Sequence, residues 1–485
     1  MEINILGSGI GGMAAAALLA KNGAKVNVIE QNNYPGGKAS QIKFNGYVFD
    51  SGPSLLTLPE WIDELFIECS KNPRDYFNYK RLDKITRYFF KDNTYVDVEN
   101  NIRKTAQNLN LATGLKEGDF LRYFNKLEKA YTISENTFLN GMEYDFNFIK
   151  NAILWFYSLG IKNIFSPMVD YNSKRLNTEK IELIMNRFAT YTGSSPYKTP
   201  AFMNQLAVVE MIKGAYFPED GIYSIPLALF KLCKDLGVNF IFNQKVLKID
   251  YNLNDINVVT DKNKYRSKFL ISNIDYNITQ ILLGRKNNIS SKDLSTSAIV
   301  FYWGINSQFK DLDLHNIIFS SNYKKEFTEI FENMIIPIEP TIYINISSKV
   351  EKSHAPIGCE NWFVMINVPS ISNLISPNEI ERVRSFIIER INKKFNVDLE
   401  SMIEGEKVLT PKTLFQNTGS YMGSLYGKNQ NTFKSIIKRQ SNIDPKNKAI
   451  FYVGGSVHPG GGIPLALKSG LNTAKKIFKN YKKVS

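Results

Sequence analysis

The chain has 485 residues, 43% of them hydrophobic, with 60 Lys and Arg against 46 Asp and Glu for a net charge of +14. That length holds two or three domains with ample core, and the hydrophobic content excludes a disordered chain. The positive surplus suits an anionic partner, but the lysines are spread along the chain within an Asn-, Ile- and Lys-rich bias, so it points mildly to a membrane surface and, with no nucleic-acid-binding motif present, away from nucleic acid.

Ile3–Leu6 reads as a short buried strand, followed at once by Gly7-Ser8-Gly9-Ile10-Gly11-Gly12, an Ala-rich helix to about Lys21, and a second strand, Val26–Ile29, that closes on Glu30. Strand, glycine turn, helix, strand and acid are in register as a dinucleotide-binding βαβ unit. Gly7 allows the tight turn, Gly9 lets a pyrophosphate approach the backbone, and Gly12 lets helix and strand pack closely. The helix N-terminus offers free N–H groups to the anion. Glu30 is placed to accept hydrogen bonds from ribose hydroxyls and repels a 2′-phosphate, which leaves FAD or NAD as the ligand. The same stretch is apolar enough to resemble a signal peptide, but Glu2 and the interrupting glycines argue against that.

Further along, Gly36 and Gly37 give a second close approach of backbone to phosphate, and Lys38 adds a cation. Tyr47–Ser54 reads as a strand entering a turn at Gly52, Pro53 and Ser54. From Trp61 to about Lys150 helices alternate with short strands, one helix running from Asp119 toward Phe138. Phe146–Phe165 is the most aromatic part of the chain and reads either as an interfacial membrane element or as a buried helix. No apolar run reaches the ~20 residues that a transmembrane helix needs. Helical segments flank Gly193–Pro196, and a further helix starts near Ser224, a suitable N-cap, with Pro226 early in it and Gly237 at its end.

Strands are expected at Val238–Phe242, Val246–Asp250 and Lys268–Ser272. An antiparallel sheet is expected from Ala298–Trp303, Asn316–Phe319, Thr341–Ile346 and Trp362–Asn367, followed by a helix at Asn378–Lys394. At the C-terminus a buried strand, Ala449–Val453, leads into the glycine loop Gly454–Pro464 and a helix, Leu465–Phe478. A glycine loop opening a helix suits an anionic ring such as a reduced flavin, stabilised by the helix dipole. Cys69, Cys233 and Cys359 are scattered, as a reducing cytoplasm allows, and so are His315, His354 and His458; no metal site or Cys–His pair is legible.

Together these residues resemble the bacterial carotenoid desaturases, FAD enzymes of the phytoene-desaturase type. The likeness covers essentially the whole chain. It rests on the fingerprint through Glu30, on Gly36-Gly37-Lys38, on Phe49–Ser54, on Gly214–Gly221, and on Gly454–Gly470, which is similar to the family signature Gly-x-x-x-His-Pro-Gly-x-Gly-x-Pro. Gly52–Pro59 and Tyr191–Tyr197 look closer to the hydroxycarotenoid 3,4-desaturase branch. Two positions depart from the pattern: Asp220 replaces a glycine, and Val457 stands where a small polar residue usually precedes the histidine.

The resemblance implies an α/β fold in which a Rossmann-like FAD domain (1–70, 205–285 and 405–485) is interleaved with a substrate and membrane-associating domain (71–204 and 286–404) of antiparallel sheet and helices. It implies non-covalent FAD held by the fingerprint and Gly36–Lys38, by Gly52, Pro53 and Ser54, by Val246, and by Gly455, Ser456, Gly462, Ile463 and Pro464. The implied reaction inserts a C=C bond into an apolar polyene by hydride transfer to flavin, favoured as 3,4-desaturation of a 1-hydroxycarotenoid. Phytoene desaturation and, more remotely, amine oxidation are the alternative enzymes, while the flavin loops at both termini argue against a non-catalytic escort-type flavoprotein. Quinone or oxygen would accept the electrons, and the protein would lie peripherally on the cytoplasmic membrane. Such chemistry asks side chains mainly for orientation and exclusion of water, so no catalytic residue and no metal is assigned. His458 falls where the family places a residue near the flavin ring, in either a direct role or a structural one.

Overall fold

The computed structural model describes residues 1–135, 137, 154–155, 160, 165–252, 255–371 and 375–481. Within these, five parallel strands form one sheet in the spatial order Ile450–Tyr452, Phe269–Ser272, Glu2–Leu6, Lys25–Ile29, Asn239–Ile241. Ile3, Ile5, Val26, Val28 and Ile271 are apolar and buried among the helices that pack on the sheet. Asparagine recurs at one level: Asn27 Nδ2 donates to Asn4 Oδ1 (3.2 Å) and Asn239 Nδ2 to Asn27 Oδ1 (3.1 Å). This ladder pins the register, since a one-residue slip would turn each amide to the opposite face.

The first helix, Ile10–Lys21, is buried through Leu19 and packs against Ile463–Tyr481 and Ser224–Asp235. Its alanines keep the neighbours near, and at one crossing nothing larger than glycine fits. A β-carbon on Gly470 would lie 2.2 Å from the Gly11 carbonyl oxygen, and one on Gly11 would lie 2.8 Å from that of Ala466.

A seven-stranded sheet runs in the order Ile403–Leu409, Ser297–Ile305, Glu360–Val368, Ile342–Asn345, His315–Ile318, Lys84–Phe89, Tyr95–Glu99. Its pairs are antiparallel except for Lys84–Phe89 beside His315–Ile318, so the four strands expected from sequence are joined by three more. The strand Ile403–Leu409 belongs here, and the expected boundary at residue 405 cuts through it. One face buries Trp303 and Trp362 together with Ile387 of the helix Pro377–Phe395, which carries a full capping box at Ser376 and Glu379. The other face meets Tyr47 and Phe49. A three-stranded antiparallel sheet (Val246–Tyr251, Ile256–Thr260, Lys264–Ser267), the hairpin Gln41–Phe44 with Tyr47–Asp50, and a short antiparallel pair of Tyr79–Arg81 with Tyr216–Pro218 complete the described strands.

The helix Ser224–Asp235 corrects one local expectation. Tyr223, not Ser224, is its N-cap, and the Ser224 hydroxyl donates to the Gly221 carbonyl (2.7 Å). The free N–H groups of Ile222 (2.8 Å) and Tyr223 (2.9 Å) donate instead to the carboxyl of Asp50, which lies far away in sequence. Asp220, the departure from the usual glycine, has φ +62°, a left-handed conformation that aspartate tolerates better than most residues. Most of the aromatic stretch Phe146–Phe165 lies outside the described residues; Trp155 is buried, while Leu154 and Phe165 are exposed. None of the described helices is long and apolar enough to cross a membrane.

Because the obstacle at the helix crossing is backbone, Gly470→Ala is expected to cost about 2–3 kcal/mol or more in a denaturant titration. Gly118→Ala is the control: it sits in a helix where an added β-carbon meets nothing closer than 3.6 Å, and should be neutral or mildly stabilising. A wild-type midpoint for Gly470→Ala would remove the crossing argument.

Candidate active site

A cavity of about 1270 Å³ is lined from both large sheets and from the glycine loops at both ends of the chain. That exceeds the ~300–1000 Å³ of an ordinary small-ligand pocket. Gly7 and Gly9 of the fingerprint line it, with Glu30 beside them. Gly12 does not: its role is packing, since a β-carbon there would lie 2.5 Å from the Gly7 oxygen. Gly36 and Gly37 fold back onto this loop. The Gly36 N–H donates to the Ser8 carbonyl (2.9 Å), and a β-carbon on Gly37 would come within 3.5 Å of the Gly9 Cα.

The first helix begins at Gly9 with no side-chain cap and no acid in its first turn. Its N-terminal N–H groups and dipole are therefore uncompensated by the helix's own residues, as a bound pyrophosphate requires. Glu30 is 4% exposed, with Oε2 accepting from Ser8 N and Oγ (both 2.8 Å) and Oε1 from Asn32 N (2.9 Å). These bonds fix the carboxylate at the cavity wall; Oε2 is filled by its two donors, and Oε1 retains a lone pair for a ribose hydroxyl. Val246 lines the cavity at the head of its strand, two residues beyond Gln244, whose backbone N–H donates to the Glu30 carbonyl (2.9 Å). On these grounds the cleft fits a dinucleotide with an unphosphorylated ribose.

Lys38 reaches the same cavity, where its Nζ donates to the carbonyls of Ser424 (3.2 Å) and Leu425 (2.6 Å). Burial pushes its pKa down to about 8, opposed by Asp275. Asp275 caps the helix Tyr276–Leu282 through Asn277 N (2.8 Å), and burial pushes its carboxyl up. Arg439 is the third charge here, lowered to about 10 by burial and opposed by the same Asp275. It ties the C-terminal loop by donating to the carbonyls of Val457 (3.0 Å) and Tyr426 (2.9 Å). Neither Asp275 nor Arg439 sits in a motif, so sequence reasoning missed both.

Gly52, Pro53 and Ser54 form another part of the wall. A β-carbon on Gly52 would collide with the Lys38 carbonyl at 1.9 Å. Tyr302 donates to the Ser51 carbonyl (2.9 Å), and Tyr343 OH shares a hydrogen bond with Ser54 Oγ (2.6 Å), so the large antiparallel sheet is bonded to this loop. From the C-terminus come Gly455, Ser456, Gly462, Ile463 and Pro464, all lining the cavity. Ser456 Oγ accepts from Tyr276 N (3.0 Å). His458 lines the cavity too, its backbone carbonyl held by Asn442 (2.9 Å) and Ser469 (3.0 Å). Val457 is buried in an apolar cluster with Tyr452, which accounts for a valine at that position.

Away from the glycine loops the wall is mainly apolar, with Val300, Ile317, Phe363, Met365, Phe202 and Val209. Set into it is a polar group that no motif announced: Arg187, Tyr191, Glu210, His315 and Tyr343. Among the described residues no cluster of His, Cys, Asp or Glu is arranged to hold a metal ion.

Comparison with known proteins agrees with this geometry. Residues 10–293 match the family of flavin containing amine oxidoreductases. The chain is 39% identical, over 98% of its own length and 98% of the relative's, to a 1-hydroxycarotenoid 3,4-desaturase of Flavobacterium sp. (strain P99-3). It is 30% identical, over 98% of both chains, to a 4,4'-diaponeurosporene oxygenase of Staphylococcus aureus (strain MW2). Among solved structures it shares its fold with a putrescine oxidase bound to putrescine (TM-score 0.63, 12% identity, 99% of each chain). A second is an oxidoreductase from Methanosarcina mazei (TM-score 0.61, 14% identity, 99% of this chain and 100% of that one).

Gly9→Val is expected to purify without the yellow flavin absorbance, because its side chain would occupy the phosphate approach and also meet Asn273 Nδ2, which lies 2.5 Å from a β-carbon there. Glu30→Ala should weaken flavin binding by about 1.5–3 kcal/mol in a titration of the apoprotein, as loss of charge-assisted hydrogen bonds predicts. A fully yellow Gly9→Val protein would show that the cofactor lies elsewhere.

Proposed function

The chain belongs to the flavin-containing amine oxidoreductase family, among its carotenoid desaturases, and on that premise we propose that it introduces the C3–C4 double bond of a carotenoid hydroxylated at C1. The observation that carries this reading is the 39% identity, across 98% of both chains, to the 1-hydroxycarotenoid 3,4-desaturase. Supporting it, residues of both branch-like segments, Gly52–Pro59 and Tyr191–Tyr197, stand on the wall of the one cavity.

FAD, when bound, supplies the two-electron oxidant for removing hydrogen from adjacent carbons. The chain's own part is alignment and dryness. A rigid polyene laid along Val300, Ile317, Phe363 and Met365 has its position set by contact with stiff, buried strands. Holding the reacting carbons in one geometry is the main contribution a protein can make to this chemistry. The polyene itself disperses charge that develops beside it, so the wall need not carry a dedicated acid–base pair.

The same reading places the protein peripherally on the cytoplasmic membrane, where its substrate dissolves, with a quinone or oxygen as electron acceptor. Two observations support membrane contact: the +14 charge, and exposed apolar side chains at the cavity, Phe415 (43%) and Ile437 (64%). The diaponeurosporene oxygenase relatives favour a second reading, in which the polyene gains oxygen instead of losing hydrogen.

Cells that make 1-hydroxylated carotenoids should, on expressing this protein, shift their pigment to longer wavelength, with a product mass lower by two hydrogens per modified end. Cells making only phytoene should stay colourless. Red phytoene cells would make it a phytoene desaturase, and a product carrying added oxygen would favour the second reading. Flotation with anionic liposomes at low salt should carry the protein to the top of the gradient; protein left at the bottom removes the membrane assignment.

A further inference from the structure

A 1-hydroxylated polyene poses a recognition problem that its apolar length does not solve. C1 is two bonds from C3, so the hydroxyl oxygen lies within about 5 Å of the bond being oxidised. Whatever reads that hydroxyl must stand on the wall beside the cofactor loops, not at the distant end of the cavity. The polar group already noted stands there, because Tyr343 is hydrogen-bonded to Ser54 of the segment Gly52–Ser54.

The hydrogen bonds in this group fix the tautomer of His315. Asn345 Nδ2 donates to the Leu314 carbonyl (3.1 Å) and lies 3.1 Å from His315 Nδ1. A carbonyl only accepts, so the amide presents its NH₂ at this end, and Nδ1 must be the acceptor. Tyr343 OH, 2.8 Å from the same Nδ1, completes a chain from Ser54 through Tyr343 to the ring. The ring proton is therefore on Nε2. Burial pushes the imidazole down to about 3, so the ring is neutral at ordinary pH and is a poor proton acceptor.

Two N–H groups in the cluster have no partner among the described residues: His315 Nε2 and Arg187 Nε. Of the Arg187 guanidinium, Nη2 donates to Tyr88 OH (2.6 Å) and to Glu210 Oε1 (3.3 Å). Glu210 is also bonded to Tyr191 OH. His315 is 3% exposed and Arg187 9%, and both line the cavity. Buried donors are nearly always satisfied in folded proteins. Two left open on the wall of one cavity, close enough that the Arg187 charge acts on the His315 ring, mark a place for an oxygen that a ligand brings.

We propose that His315 and Arg187 are specificity-determining residues that donate hydrogen bonds to the substrate's carbinol oxygen, with Ser54, Tyr343 and Asn345 holding the imidazole in the donating tautomer. This rests on the reading of the substrate as hydroxylated. It assigns the cluster to selecting which bond is presented, and leaves the redox step to the bound cofactor. A site built to bond a hydroxyl penalises the analogue that lacks one far more than an apolar wall does.

The test is equilibrium binding to purified holoenzyme in detergent micelles. The two probes are a 1-hydroxylated polyene and a polyene of equal length and conjugation without the hydroxyl, and the signal is quenching of tryptophan fluorescence, Trp155 being on the cavity wall. Wild type should prefer the hydroxylated polyene by about tenfold or more. His315→Phe keeps a ring and removes the donor. It should lower affinity for the hydroxylated polyene toward that of the other, leaving the second affinity and the flavin content as in wild type. His315→Gln, which restores an N–H, should recover part of the preference. Should His315→Phe weaken both polyenes equally, or still discriminate as wild type does, the inference is wrong and the ring is structural. A wild-type protein that binds both alike overturns the hydroxylated-substrate reading itself, and this inference with it.

Discussion

The contact on which the molecule turns is backbone against backbone, where Gly470 of the last helix meets the Gly11 carbonyl of the first. The two residues lie near opposite ends of the chain, and each opens or follows a glycine loop. Their crossing brings both loops to one cavity. Between the loops sits Asn273, at the end of the strand Phe269–Ser272, with its backbone N–H donating to Leu6 (2.8 Å). A β-carbon on Gly9, Gly12 or Gly454 would come within 2.5, 3.1 or 2.6 Å of its side chain. The glycines that a dinucleotide fingerprint demands for phosphate approach are thus demanded a second time, by the fit of the two chain ends around one asparagine.

The second dependence joins this cofactor cleft to the antiparallel sheet. Tyr302 bonds Ser51, Tyr343 bonds Ser54, and Asn361 Nδ2 donates to the Val48 carbonyl (2.6 Å). All three come from long, buried strands or their neighbours, so the apolar wall of the cavity is fixed relative to the glycine loops. Asp50, in the same hairpin, caps the helix Ser224–Asp235 and carries that constraint to the opposite side of the cleft. A reaction that asks mainly for alignment is well served by such coupling, because no hinge lies between the two binding surfaces at these points.

Legibility in the sequence followed the range of the forces involved. The opening βαβ unit was readable because its turn, helix dipole and packing glycines are all set within some thirty residues. The strands at Ser297–Ile305 and Glu360–Val368 were readable from β-branched and aromatic runs, and the capped helix Pro377–Phe395 from its periodicity. Asp50 as a helix cap was not, because its partners are distant in sequence and the local candidate, Ser224, looks adequate by itself. Lys84–Phe89 and Tyr95–Glu99 were expected only as unplaced short strands between Trp61 and Lys150, and Ile403–Leu409 not at all: their charged residues mask the strand pattern, and pairing within the sheet is what sets them. The polar group on the cavity wall had no signature at all. Arg187, Glu210 and His315 come from two helices and a strand, and nothing but the tertiary fold sets them together.

That polar group also satisfies an electrostatic condition on the chemistry. Removing hydride from a carbon next to a polyene builds positive charge on the substrate, so an unbalanced cation on the wall would oppose the step at short range. Arg187 would be such a cation if it stood by itself. A guanidinium does not lose its proton, and the buried charge is balanced only with Glu210 ionised beside it, a state that Arg187 favours and burial opposes. The imidazole of His315 adds no charge, since burial holds it neutral, with the Arg187 cation acting in the same direction. With Glu210 ionised, the hydrogen-bond donors on this wall stand without a net positive charge behind them. A lysine at either position would offer donors as well, but with a compact cation and no partner arranged to offset it, and the same wall would then work against the reaction it is shaped to align.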